Sequence, residues 1–129
     1  MPRLFLFFNH TFTLSQQAEA RADLGVSAII EPPLDLRRCW ANIPPAEPTL
    51  HPWLQPVFDW LTLHGQTGDY ILVQGDFGAC YLLVRFALER GLIPVYATTE
   101  RHAREQRLDD GRVRLEHTFA HVRFRRYGE

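Results

Sequence analysis

The sequence contains no lysine, and all 14 of its basic side chains are arginine. Every fixed cation is therefore a guanidinium, a planar fork suited to two-point phosphate contacts; a coding bias would leave the same composition. Cysteine is scarce. Cys39 and Cys80 lie far apart and form neither a CxxC pair nor a zinc-ligand spacing, so they are expected to be free, buried thiols in a reducing compartment. Long apolar runs are missing as well. The run Leu4 to Phe8 gives way at once to Asn9-His10, too short for a signal-peptide core or a membrane span. A cytoplasmic protein without a membrane partner is the expectation. No G-x-G-x-x-G, P-loop, HExxH, nucleophile elbow or clustered metal ligands are found, so nothing calls for a cofactor or a metal.

What is present is an ordinary globular balance, with 46% apolar and 22% charged residues in a chain of 129, which suits one domain spanning 1–129. The net charge of −1 predicts no partner by itself. Its distribution says more. Residues 1–100 carry six Arg against ten acids, and residues 101–129 carry eight Arg against five. A phosphate-bearing ligand is favoured by the C-terminal segment; no stable DNA partner is expected.

The patterning is that of an α/β chain. The continuous run Leu4 to Phe8 suits a strand buried on both faces. Thr13 with Gln16 matches a capping box opening a helix to about Leu24, closed by Gly25. Ser27 to Ile30 reads as a second strand and Leu34 to Trp40 as a short helical turn. Thr49 is placed as the cap of a helix reaching His64, whose Pro56 sits awkwardly inside it. Tyr70 to Val73 is a third strand, Ala79 to Arg90 a helix with spacing i, i+3, i+4, i+7, and Leu92 to Ala97 a fourth strand. Asp109-Asp110-Gly111 marks a hairpin turn between alternating segments. The order implies a Rossmann-like, mostly parallel sheet arranged about 2-1-3-4 with a C-terminal β-hairpin or strand extension.

In such sheets ligands bind beyond the carboxyl ends of the strands where the winding reverses. Three groups are expected there. Asn9, His10 and Thr11 follow the first strand. Gln74, Gly75, Asp76, Phe77 and Gly78 join the third strand to its helix; here either helix-end amides face an anion or Asp76 simply caps the helix. Thr98, Thr99, Glu100 and Arg101 follow the fourth strand and offer hydroxyls, a carboxylate and a guanidinium. The segment His121 to Tyr127, with Arg123 and Arg125, is either a phosphate-and-base surface or a charge-protected edge strand. Trp40, Trp53 and Trp60 are expected in the core or a subunit contact.

The stretches Trp40 to Pro45, Gln74 to Ala79, Gly91 to Arg101 and His121 to Arg125 together resemble a small CRISPR-associated family, number twenty of the Csx series. The resemblance runs from Asn9-His10 to Tyr127. It implies a CARF-like (CRISPR-associated Rossmann fold) domain, a homodimer, and a ring nuclease that cleaves a cyclic oligoadenylate, the tetra-adenylate foremost, by metal-independent attack of a 2′-hydroxyl. On chemistry and position, His10 or Glu100 would move the proton, and Arg101, Thr99 and the amides near Gly75 to Phe77 would hold the phosphate. A non-catalytic sensor or sponge of the same ring, or a general RNA-binding module, are the alternatives.

Overall fold

A computed structural model describes all of residues 1–129. Its sheet has five strands in the order β2-β1-β3-β4-β5: β1 (Arg3–Phe7), β2 (Ala28–Ile30), β3 (Tyr70–Val73), β4 (Ile93–Arg107) and β5 (Val113–Arg126). The first four strands run parallel in the expected order, and β5 returns antiparallel to β4. The sheet is thus mixed.

Alternation divides the central strands between two cores. Phe5, Phe7, Ile71 and Val73 point to one face, where α2 (Leu34–Ala41), α3 (His51–His64) and α4 (Phe77–Glu89) cover them. Leu4, Leu6, Tyr70, Leu72 and Val95 point to the other, beneath α1 (Leu14–Glu19) and the π turn Ala20–Leu24 that prolongs it. The capping box forms: Gln16 N donates to Thr13 Oγ1 at 3.1 Å and Thr13 N to Gln16 Oε1 at 3.0 Å. Gly25 ends the segment at φ 65°, a left-handed conformation that favours glycine. The tryptophans lean to the core. Trp40 is 2% exposed and meets Phe7 edge-on at 5.6 Å, Trp60 meets Phe5 at 5.5 Å, and only Trp53 stands open.

Two expectations need correction. Thr49 does not cap α3; Leu50 holds the cap position with no side-chain bond. Pro56 does lie inside α3, on its exposed side, where water can take the carbonyl that proline leaves without a donor. The fourth strand does not stop at Ala97. It runs on to Arg107, paired residue by residue with β5, so Thr98 to Arg101 sit within a long two-stranded ribbon and not beyond the strand's end. Backbone pairing carries the strand past the last buried residue, because alternation in Val113 to Phe119 supplies a partner edge. The turn Leu108 to Arg112 closes the ribbon, with Gly111 at φ 82°.

Candidate functional site

Strand ends decide where the polar side chains meet. Trp40 Nε1 donates to the carbonyl of Gln74 at 3.0 Å, and Gln74 N donates to Phe7 O at 3.0 Å. The Gln74 side chain accepts from Ala97 N at 2.8 Å, which leaves its amide nitrogen uncommitted. The residue joining β3 to α4 is thereby pinned to β1, β4 and the core. Gly75 is favoured here by the core: a Cβ would come within 3.0 Å of Trp40 Nε1 and 3.4 Å of Asn9 Nδ2, and the indole would have to give way. Asp76 caps α4, accepting from Ala79 N at 3.0 Å. The capping reading of this segment is the one the geometry fits.

On the α1 face a cleft of about 740 Å³ opens above the ends of β1, β3 and β4. One wall brings Phe8, His10, Thr11, Thr13, Ser15 and Gln16. The other brings Thr99, Phe119, Ala120 and His121, with Gln74 and Ala97 between them. No carboxylate lines it. Aromatic rings link the two imidazoles. His10 packs edge-on to Phe8 at 5.4 Å, Phe8 to Phe12 at 6.5 Å, Phe12 to Phe124 at 6.0 Å, and Phe124 to His121 at 4.6 Å. Both ring nitrogens of His121 are buried and have no hydrogen-bond partner. An unmade hydrogen bond of that kind costs about 1–3 kcal/mol, so His121 is held at the cleft against its own solvation. Asp23 raises the carboxyl of Glu19, on α1, by hydrogen bond and charge, and His121 opposes this weakly.

His10, Thr11, Gln74 and Thr99 are therefore brought together as the sequence suggests. The remaining candidates are not. Asn9 does not line the cleft; it faces an adjoining depression, shared with His10 and Thr11, that also holds Glu31 and Arg37. Gly75 and Phe77 line a cleft of about 450 Å³ on the α4 face, with Cys80, Tyr81, Tyr96 and Tyr127, and Gly78 belongs to the first turn of α4. Thr98 Oγ1 accepts from Arg123 N at 3.2 Å and donates to Arg123 O at 3.1 Å, filling an irregularity of the ladder. Arg125 lies over the Tyr96 ring at 5.6 Å and donates to its hydroxyl. Glu100 pairs with His102 at 3.5 Å. Strand alternation puts Glu100 on the ribbon face opposite Thr99 and the cleft, because β4 continues past the strand end that was expected at Ala97. Arg101 shares the cleft's face of the ribbon, one pair beyond Thr99.

His121 is the residue that sequence reasoning names only as part of a cation-and-aromatic segment and does not single out as a site. It lies within the Arg-rich segment, and its only signal is phase: it shares a register step with Thr99, which the strand-end argument already singles out. The cysteines are free and half-buried. Burial, offset in part by the Gly75 amide and reinforced by the Asp76 charge, pushes the Cys80 thiol up to about 11, so at neutral pH it is no thiolate nucleophile. No three His, Cys, Asp or Glu side chains stand close enough together to hold a metal ion. No helix is long and apolar enough to cross a membrane.

The cleft lies wholly inside the stretch over which relatives are found. The sequence model of the Uncharacterized protein MJ1673 family matches residues 2–125. The chain belongs to that family. The Uncharacterized protein MJ1673 of Methanocaldococcus jannaschii is 42% identical over 127 residues, which cover 98% of each chain. Both walls of the MJ1673-family cleft here, from His10 to His121, fall within the matched residues. No solved structure matches the chain.

Proposed function

We propose that this protein is a CARF-like ring nuclease that binds a cyclic oligoadenylate and cuts it without a metal. The observation that carries the reading is the cleft: two imidazoles, His10 and His121, line a polar pocket that has hydroxyls and an amide but no carboxylate. A phosphodiester is repelled by carboxylates and accepted by hydroxyl, amide and imidazole donors. Cleavage then follows from general acid–base chemistry. His10 takes the proton of a ribose 2′-hydroxyl; the oxygen forms a bond to the adjacent phosphorus; the bond from phosphorus to the 5′-oxygen breaks; His121, whose buried nitrogens reach the cleft once its ring turns outward, protonates that oxygen. The products are a 2′,3′-cyclic phosphate and a 5′-hydroxyl. Thr99 and Gln74 are on hand for the phosphorane charge. The Rossmann-like strand order supports the placement at the strand ends.

A homodimer fits this reading, since a symmetric ring matches a two-fold axis. Along α4, Phe77, Tyr81, Val84 and Leu88 follow the spacing i, i+4, i+7, i+11, with exposures of 95% for Phe77, 62% for Tyr81 and 57% for Leu88. That stripe suits a subunit contact better than the Trp60 helix, whose ring is spent on the core. The test is incubation of purified protein with cyclic tetra- and hexa-adenylate in EDTA, with products separated and binding titrated. Cleavage to linear products ending in a cyclic phosphate is expected. A ring bound but left intact would make the protein a sensor or sponge, and equal binding of linear RNA with a steep salt slope would make it a general RNA binder.

A further inference from the structure

Residues opposed across an antiparallel ladder share a face, and alternate residues along each strand return to it. In the ribbon Thr99 opposes His121, Arg101 opposes Phe119, and Ala103 opposes His117. One face therefore presents, outward from the cleft, His121 with Thr99, then Phe119 with Arg101, then His117. Phe119 is 68% exposed although it forms part of the cleft wall. Arg101 has no carboxylate within 4.0 Å. Its guanidinium is oriented instead by an imidazole, with Nε donating to His117 Nδ1 at 3.2 Å and Nη2 lying 3.1 Å from His117 Nε2. The ribbon does not track a polyanion by bulk charge, because residues 100–119 hold five Arg and five acids. Its recognition has to be local. A flat apolar ring at the mouth of a polar cleft, directly across the ladder from an uncompensated and oriented guanidinium, matches one ligand chemistry: an unpaired base next to a phosphate.

We propose that this strip is a nucleotide subsite, in which the base beside the scissile phosphate stacks on Phe119 while Arg101 holds the next phosphate. The substrate class is then a single-stranded phosphodiester with accessible bases, and a duplex does not fit. The proposal rests on the reading of the cleft as a phosphodiester site, but it is read out separately. The Phe119 ring touches no reacting atom, so its loss lowers affinity and spares the chemical step, whereas loss of His10 or His121 does the opposite.

The experiment uses the full chain and two probes: cyclic tetra-adenylate carrying one 2-aminopurine, and a linear 2-aminopurine-containing diribonucleotide. Wild type is expected to quench the fluorescence of both by stacking. Phe119→Ala is expected to raise Kd about 10–100-fold and abolish quenching, with the single-turnover rate at saturating ring within about threefold of wild type. Phe119→Trp should restore both affinity and quenching. Arg101→Gln should raise Kd while leaving the quenching at saturation intact. Wild-type affinity and quenching in Phe119→Ala would overturn the proposal, and so would failure of the wild type to quench either probe. Light scattering closes the remaining escape: if Phe119→Ala becomes monomeric while binding the ring with unchanged affinity, Phe119 belongs to a contact with a second copy. If the ring is quenched but never cut, the subsite stands and the nuclease reading falls.

Discussion

Replacing His121 by Phe should make the protein more stable and less active. The imidazole carries two buried nitrogens without partners, and each unmade hydrogen bond is a standing cost of about 1–3 kcal/mol. A phenyl ring removes both polar atoms and keeps the tilted contact with Phe124, now 4.6 Å away between centroids. The one extra ring atom can crowd the site and give back part of the gain, so a net stabilisation of about 1–2 kcal/mol is expected. In a chain of this size that raises Tm by roughly 3–5 °C per kcal/mol. His121→Leu, which has no such crowding, should move in the same direction. Over the same change, cleavage of the ring should fall about 10²–10⁴-fold, the range of a lost general acid or base, with Kd little altered. Calorimetry gives the first quantity and single-turnover kinetics the second. The reasoning is refuted if both variants lose more than about 1 kcal/mol, because the imidazole would then be structural, or if both cut the ring at the wild-type rate.

At the opposite end of the sheet, Asp69 is buried and accepts from Arg3 Nη2 at 2.7 Å, Arg3 N at 3.0 Å and Gln66 N at 2.9 Å. Burial pulls its carboxyl up, but the Arg3 and Gln66 bonds together outweigh it and hold the group below the usual carboxylate range. Its stabilisation is therefore complete above the ordinary carboxylate range and is lost as pH falls through the depressed value. Urea melts of wild type and Asp69→Asn should differ by a constant amount above about pH 5 and converge in stronger acid, with ring cleavage unchanged at neutral pH. Gly75→Ala should cost about 1–3 kcal/mol and lower activity together, since the new methyl group displaces the Trp40 indole that anchors Gln74; thermal melts and the ring assay check it. Glu100→Gln and Thr98→Val lie on the far face of the ribbon and should leave the cleavage rate within about twofold, which is a control on the choice of face.

The sheet was legible because its signals are local. The unbroken run Leu4 to Phe8, the box Thr13 to Gln16, the helical spacing from Ala79 and the turn at Asp109 to Gly111 each state a period or a cap without help from distant residues. The parallel order follows from alternating strands and helices, and so does the end of the sheet at which ligands collect. Two features were not legible for one reason: the competing structure came from a partner segment. The Thr98 to Arg101 stretch is polar and reads as a strand end, yet β5 supplies hydrogen bonds that keep it extended. Gly75 reads as a ligand-facing turn, yet the contact that favours glycine is Trp40, far earlier in the chain.

The residue sequence by itself thus determined the element types, the strand order and half of the cleft, His10 with Thr11, Gln74 and Thr99, because periodicity, caps and topology are properties of one segment at a time. Only the tertiary structure decided the other half. Which side of a strand a residue faces depends on register, and a one-residue change of register moves every side chain to the opposite face. The pairing of Thr99 with His121 and of Arg101 with Phe119 brings Thr99, His121 and Phe119 to the wall across from His10, keeps Arg101 on the same ribbon face, and turns Glu100 and Thr98 away. No spacing within Thr98 to Arg101 carries that distinction, since it is set by which residue of β5 lies across the ladder.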